Sequence, residues 1–174
     1  MAVYEYDGQV PMIGRNCYIS DSARVIGNVT VHDQCYIGHG AVIRGDYGQI
    51  VIGPGSAIEE NAVLHIRPKG LLELEDSVTV GHSATIHGRL IRSHAVIGMG
   101  SVVSFDARVG RWSIVAEGAV VPGSTTIPDE EVVAGIPCRR IGAVTTEHKA
   151  FWTYGKKLYT DLAKDYDQKL KRIA

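Results

Sequence analysis

Three histidines in the middle of the chain are the side chains best suited to chemistry. His65, His82 and His87 lie close together in the sequence. A neutral imidazole is a common zinc ligand, and three imidazoles with an open fourth position make up a catalytic rather than a structural zinc site. Whether these three side chains can meet depends on the elements that position them.

Those elements are defined by an aliphatic residue that recurs every six positions. Four residues later the position is mostly small, and glycine often follows the aliphatic residue, as at Gly38 and Gly98. No α-helix has a six-residue period, and a hairpin sheet would not keep one through the chain. The aliphatic series consists of Ile13, Ile19, Val25, Val31, Ile37, Ile43, Ile52, Ile58, Leu64, Leu74, Val80, Ile86, Ile91, Ile97, Val103, Val109, Val115, Val121 and Ile127.

This period predicts an all-β fold, a parallel β-helix in which three hexads make one triangular coil. The large aliphatic side chains fill the interior, and the small residues fit where two faces converge. Successive coils stack at about 4.8 Å, the ordinary spacing of neighbouring strands. The spacing itself does not define the hand of the coil. We expect this domain to span residues 1–142.

From Thr145 onward the period becomes that of an α-helix, which predicts a C-terminal helix within residues 143–174. Thr145 or Thr146 can cap it, and Glu147 lies in its first turn. An apolar stripe at helical spacing needs a surface to cover, either this chain's β-helix or a neighbouring subunit. The stripe consists of Phe151, Tyr154, Leu158, Leu162, Tyr166 and Leu170.

Two interruptions of the hexads set the register of the histidines. Three extra residues lie between positions 43 and 52, and four lie between positions 64 and 74. With three hexads to a coil, Arg44, His65 and His87 each follow the third aliphatic residue of successive coils. They should therefore stack along one outer edge, where backbones about 4.8 Å apart let His65 and His87 share a metal ion.

His82 lies in the hexad before His87, on a different part of the triangular section. An extended connection places it roughly 15 Å from His87, too far to complete the same site within one chain. It could complete that site from a second subunit packed against this edge, in a closed three-fold ring. From spacing alone, His82 is either such a ligand or an ordinary solvated or packing histidine.

Several short motifs surround these histidines: IRGD at 43–46, VLH at 63–65, GH at 81–82, IHG at 86–88 and VIGMGS at 96–101. Together with the His–x16–His–x4–His spacing they resemble the gamma-class carbonic anhydrase family. The resemblance implies a left-handed β-helix and a homotrimer with metal sites at the subunit interfaces. His65 and His87 would come from one chain and His82 from the next. RGDYGQI and the Trp-bearing helix are most similar to the carnitine-operon and phenylacetate-pathway branch, for which thioesterase or accessory roles have been proposed.

The three histidines and this resemblance predict a zinc-dependent hydratase that interconverts CO2 and bicarbonate. Fe2+ and Co2+ suit three imidazoles equally well. Arg44 and Asp46 lie on the same edge, and the resemblance implies that Asp46 pairs with an arginine across the interface; the pair either orients substrate or is purely structural. Glu59, where the family usually has glutamine, is either a solvated carboxylate or a group that accepts from the bound water or relays its proton.

Two other classes of function fit the same fold. Many hexapeptide β-helices transfer acyl groups from CoA esters with one histidine as general base at a subunit interface. One base would not require two stacked histidines with a third nearby, although a thioesterase acting on a CoA thioester could use the same zinc site. The third class is a non-catalytic metal-binding trimer that serves as a partner subunit.

The charge and the cysteine content of the chain indicate which binding partners and which cellular compartment to expect. Eighteen Lys and Arg against nineteen Asp and Glu give a net charge of −1 without blocks of like charge, so we expect no nucleic-acid or membrane partner. The start lacks the pattern of a secretion signal, and we expect a cytoplasmic protein. The three cysteines are too few for a disulfide scaffold. Cys17 and Cys35 are expected to stack as buried thiols on neighbouring coils.

Overall fold

Each hexad forms the same local structure. A short strand ends on the large aliphatic residue, a tight turn follows, and the residue just before the small position adopts a positive φ, as at Gly40 (71°) and Asn61 (60°). Glycine and asparagine enter this region more readily than most residues. The computed structural model describes residues 2–173, apart from the side chain of Asp167, and repeats this unit along a triangular prism.

The strands and the helix have the following bounds. They are β1 Ala2–Tyr4, β2 Met12–Ile13, β3 Tyr18–Ile19, β4 Arg24–Val31, β5 Tyr36–Ile37, β6 Val42–Ile52, β7 Ala57–Ile58, β8 Val63–His65, β9 Leu71–Leu74, β10 Thr79–Val80, β11 Thr85–Ile86, β12 Leu90–Ile91, β13 Val96–Ile97, β14 Val102–Val103, β15 Arg108–Val109, β16 Ile114–Val115, β17 Val120–Val121, β18 Thr126–Ile127, β19 Glu131–Ala134, β20 Arg139–Ala143 and α1 Thr146–Lys169.

The strands pair in parallel from coil to coil and build three faces. One face has the order β20-β19-β16-β13-β10-β7-β5-β3. The other two faces join into one twelve-stranded sheet, because the long strands β4 and β6 continue from one face to the next. Tyr18 pairs with Tyr36, and Val96 with Ile114, each one coil of three hexads apart. The antiparallel pairing of β20 with β19 ends the prism. The predicted all-β coil architecture is confirmed.

The aliphatic series forms the core of the prism. All of its members except the half-buried Ile13 are buried, and each such side chain contributes about 1.5–3 kcal/mol. The coils approach so closely that a Cβ built on Gly98 would lie 2.5 Å from the backbone nitrogen of Glu117. Because a larger residue would collide with the next coil at such a position, glycine often follows the aliphatic residue. Cys35 is buried as expected, whereas Cys17, in the first coils, is half-buried, so the expected pair of buried thiols is only half correct.

The C-terminal helix α1 begins with the expected cap and packs against this chain's own β-helix. The Thr145 hydroxyl accepts from the His148 backbone N–H, and His148 Nδ1 accepts from the Thr145 N–H. Tyr159 and Tyr166 of α1 pack against Tyr18 and Tyr36 on the face of β3 and β5, with ring centroids 4.9–5.2 Å apart in the closest pairs. Across residues 2–173, no helix has both the length and the apolar character needed to cross a membrane.

The helix faces the sheet with a different side from the predicted stripe. Phe151 (66% exposed), Tyr154 (63%), Leu158 and Leu170 are exposed in this chain, so these four residues do not cover its own β-helix, and their packing on a neighbouring subunit stays a prediction. The buried side instead carries Lys156, Tyr159 and Ala163, in addition to the predicted Leu162 and Tyr166. The helix carries two overlapping apolar stripes. The stripe that faces the sheet is the one whose side chains can stack on the tyrosines of the sheet.

Candidate metal centre

One outer edge of the prism brings His65 and His87 together. Arg44 at the bend of β6 pairs in register with His65 of β8, and Leu64 pairs with Ile86, so His87 follows directly on the next coil. The imidazole centroids lie 4.8 Å apart. His65 Nδ1 and His87 Nε2 face each other at 3.2 Å. The stacking expected from the two interruptions of the hexads is therefore present.

The separation of these two nitrogens fits a shared metal ion. Two imidazole nitrogens bound to one tetrahedral zinc ion at 2.0–2.1 Å lie about 3.3–3.4 Å apart. The observed 3.2 Å between His65 Nδ1 and His87 Nε2 is close to that value. His87 Nδ1 is also buried without a hydrogen-bond partner among the described residues. The pair can form a single N–H···N hydrogen bond or can turn both lone pairs toward a cation.

Asp46 determines which nitrogen of His65 carries the proton. Its Oδ1 accepts from His65 Nε2 at 3.0 Å, and its Oδ2 accepts from Arg44 Nη1 at 2.5 Å. Burial alone would raise the pKa of the Asp46 carboxyl, but the hydrogen bonds from Arg44 and His65 outweigh it and hold that pKa below its ordinary value. An ionised Asp46 keeps the proton on Nε2 and leaves the Nδ1 lone pair for a metal.

The environment of His87 keeps its imidazole neutral. Burial is the main reason that its pKa lies below the ordinary value, and the neighbouring His65 and Arg44 lower it further. Phe105 packs edge-on against the His87 ring with centroids 4.7 Å apart, and Tyr47 lies 5.5 Å from the His65 ring. Neutral imidazole is the form that binds metals. Tyr47 follows the IRGD motif directly, whereas no signal in the sequence indicates Phe105.

His82 lies apart from this pair, at the corner between β10 and β11. Its side chain is 42% exposed, with Nε2 3.1 Å from Glu59 Oε2 and Nδ1 2.8 Å from Glu60 Oε2. Its backbone N–H also donates to Glu59 Oε2. Within residues 2–173 of this single chain, no group of three or more His, Cys, Asp or Glu side chains is arranged to hold a metal ion.

Glu59 is buried beneath His82, which makes the solvated-carboxylate interpretation wrong. It is 5% exposed, and this burial raises the pKa of its carboxyl despite the opposing effects of His82 and Tyr159. Lys156 of α1 lies nearby, and burial lowers the pKa of its amine to about 7. Sequence reasoning missed Tyr159 and Lys156, because a helix distant in sequence brings them to this corner.

Comparison with known proteins defines the class of the fold. Residues 11–45 match the family described as bacterial transferase hexapeptide (six repeats). The structure is similar to a hexapeptide transferase family protein from Anaplasma phagocytophilum, with a TM-score of 0.90 and 30% identity over 95% of this chain and 98% of that one. The protein is a left-handed β-helix of hexapeptide repeats.

Two relatives show to which family, within this class of fold, the chain belongs. Mitochondrial gamma carbonic anhydrase 1 of Arabidopsis thaliana is 33% identical over 161 residues, which cover 89% of this chain and 58% of the relative. The carnitine operon protein CaiE of Salmonella agona is 30% identical over 94% of this chain and 82% of its own length. The chain belongs to the hexapeptide-repeat family that includes gamma carbonic anhydrases and CaiE. It spans less than three fifths of the length of the Arabidopsis protein.

Proposed function

We propose that the protein is a zinc-dependent hydratase of the gamma carbonic anhydrase type, which interconverts CO2 and bicarbonate at the interfaces of a homotrimer. The observation that carries this proposal is the approach of His65 Nδ1 to His87 Nε2 at 3.2 Å on one edge, with Asp46 orienting His65. Fe2+ and Co2+ are chemically compatible alternatives to Zn2+. The free thiols of the three cysteines favour a reducing compartment such as the cytoplasm.

The third ligand in this proposal is His82 of a neighbouring subunit. Two imidazoles make a poor zinc site, and a third supplies the composition of a catalytic one. His82 is available to another chain because its ring is partly exposed at a corner. Glu59 and Glu60 each contact one of its ring nitrogens, so one carboxylate can orient the ring while the other nitrogen binds the metal. A closed three-fold ring would then create three equivalent sites.

The reaction adds water to CO2 and yields bicarbonate and a proton. The metal, when bound, supplies the nucleophile by lowering the pKa of water to about 7. Asp46 holds the proton on His65 Nε2 and thereby keeps the imidazole correctly oriented. Arg44 keeps Asp46 ionised and remains partly exposed at the same edge, where its guanidinium can orient bicarbonate. The rings of Tyr47 and Phe105 pack against the two imidazoles and give the site an apolar rim.

Metal analysis combined with a CO2-hydration assay tests this proposal. We expect one metal ion per chain in anaerobically purified protein, and hydration that is lost on chelation and restored by Zn2+. A non-catalytic trimer would bind the metal but hydrate no CO2. An acyltransferase that uses one histidine as base would transfer acyl groups without any metal, and that result would contradict the proposal.

A further inference from the structure

Two cysteines lie side by side on neighbouring coils, on a different face from the edge that carries His65 and His87. Cys17 directly precedes β3 and Cys35 directly precedes β5, and these two strands pair in register. The Tyr18 backbone N–H donates to the Cys35 carbonyl at 2.9 Å, so the two backbones are hydrogen-bonded at this position. Neighbouring strands place the two Cα atoms about 4.8 Å apart. Disulfides span Cα separations of about 4.4–6.8 Å, so this pair can be bridged.

Both thiols pack in the apolar core, and Cys17 also borders an opening to the surface. Cys35 is fully buried, whereas Cys17 is half-buried. A cavity of about 240 Å³ reaches Cys17 and is lined on its other side by Ala163, Lys164 and Gln168 of α1. Because β3 is the last strand of its face, the backbone beside Cys17 is paired on one side and can adjust when a bridge forms. A small polar oxidant therefore reaches Cys17 before Cys35.

The Cys17 thiol ionises more easily than an ordinary thiol because its neighbour stabilises the anion. As a thiol, Cys17 donates to the His32 carbonyl at 3.0 Å. When Cys17 is ionised, it accepts a hydrogen bond from the Cys35 thiol. This bond is the largest of the effects that lower the pKa of Cys17 to about 7, against the opposing effects of burial and Asp33. The thiolate is the nucleophilic form of cysteine, so Cys17 is reactive near neutral pH.

We propose that Cys17 and Cys35 form a reversible oxidation site, in which hydrogen peroxide converts the two thiols into a disulfide that joins the first coils. The Cys17 thiolate attacks one peroxide oxygen, the O–O bond breaks, and hydroxide leaves, so that Cys17 becomes a sulfenic acid. The Cys35 sulfur then attacks the Cys17 sulfur, the S–O bond breaks, and a second hydroxide leaves. The two hydroxides take up the two thiol protons and become water. The sulfurs lose two electrons in total, and the peroxide gains them.

Burial makes Cys35 the resolving thiol rather than a second reactive one. Its hydrogen bond to Cys17 and its burial raise the pKa of the Cys35 thiol well above the ordinary value. The first of these two causes ends when Cys17 is oxidised, because the sulfenic acid is uncharged. Cys138 is also buried, and this burial raises the pKa of its thiol, so the third cysteine serves as an internal control. The inference does not rest on the proposed function, since no metal ligand takes part.

Peptide mass spectrometry of the native full-length protein after treatment with hydrogen peroxide tests this site. Trypsin separates the two cysteines into the peptides 16–24 and 25–44. We expect peroxide to join these peptides through a disulfide and dithiothreitol to release them, with the remaining thiols alkylated before digestion. Cys17 should be oxidised at least about tenfold faster than Cys138. Equal rates for Cys17 and Cys138, or oxidation of Cys17 to the sulfinic acid without a bridge, would overturn the inference.

Two single variants separate the reactive thiol from the resolving one. In Cys35→Ser the sulfenic acid at Cys17 has no thiol to resolve it, and dimedone should label it after peroxide treatment. In Cys17→Ser the buried Cys35 should stay unlabelled. Cys138→Ser is the matched control and should form the bridge as the wild type does. Labelling of Cys35 in Cys17→Ser, or an unlabelled Cys17 in folded Cys35→Ser, would contradict the assigned roles.

Discussion

The buried amine of Lys156 should make the attachment of α1 to the β-helix depend on pH. Lys156 Nζ donates to Thr79 Oγ1 at 2.9 Å and to the Ala95 carbonyl at 3.3 Å, and none of the ion pairs found among residues 2–173 includes it. Burial lowers the pKa of this amine from 10.5 to about 7, and Glu59 opposes that shift only in part. Lys156→Met keeps most of the apolar stem and removes the titrating group.

The sign and size of the effect follow from proton binding. Between pH 7 and 10.5 the folded chain binds fewer protons at Lys156 than the unfolded chain, so this group makes stability rise with pH. One pH unit in that range is worth up to about 1.4 kcal/mol. From pH 7 to 9 the wild type should therefore gain about 2–3 kcal/mol per chain relative to Lys156→Met. At pH 6 the variant should be the more stable protein, since it buries no charge.

Guanidinium denaturation followed by circular dichroism at pH 6, 7, 8 and 9 measures this difference. The protein concentration must stay fixed, because the stability of an oligomer depends on it. Glu59, Tyr159 and His94 remain in both proteins, so the difference between the two pH profiles reports the lysine. Lys164→Met, at an exposed position of the same helix, is the matched control and should follow the wild type. Parallel profiles for the wild type and Lys156→Met would refute the reasoning.

Two further predictions concern the metal site. Asp46→Asn removes the ionised acceptor that orients His65, and it should weaken zinc binding 10- to 100-fold in an intact trimer; titration against a competing chelator measures this, and unchanged affinity would mean that Asp46 has no orienting role. Replacing Cys17 and Cys35 together with alanine should leave the metal content unchanged, because neither thiol lies on the edge of His65 and His87; loss of metal would show that the ligands are misplaced.

The fold and the histidine pair could be predicted because one short-range rule governs both. An aliphatic residue at every sixth position packs in the interior of a triangular coil. Counting hexads therefore places residues of neighbouring coils side by side. The count that put His65 beside His87 holds in the structure because the two insertions extend outward without shifting the register of Arg44, His65 and their neighbours.

What depends on contacts between distant segments could not be predicted in the same way. The orientation of α1 is set by Tyr18 and Tyr36 on the sheet, and helical spacing alone does not distinguish the stripe through Tyr154 from the one through Tyr159. The burial of Glu59 follows from that orientation. From the sequence IEENAVLH alone, this carboxylate could be either exposed to solvent or in contact with the metal-bound water.

A metal site shared between subunits is the central claim, and complementation between two inactive variants tests it most directly. His82→Ala and His87→Ala should each lose metal and hydration activity, because two imidazoles bind zinc poorly. In a mixed trimer, a His82→Ala chain keeps His65 and His87, and its neighbour can supply His82. Refolding the two variants together should rebuild about a quarter of the sites by random assembly around a three-fold ring. Metal and activity that stay absent from verified mixed trimers would contradict the shared site.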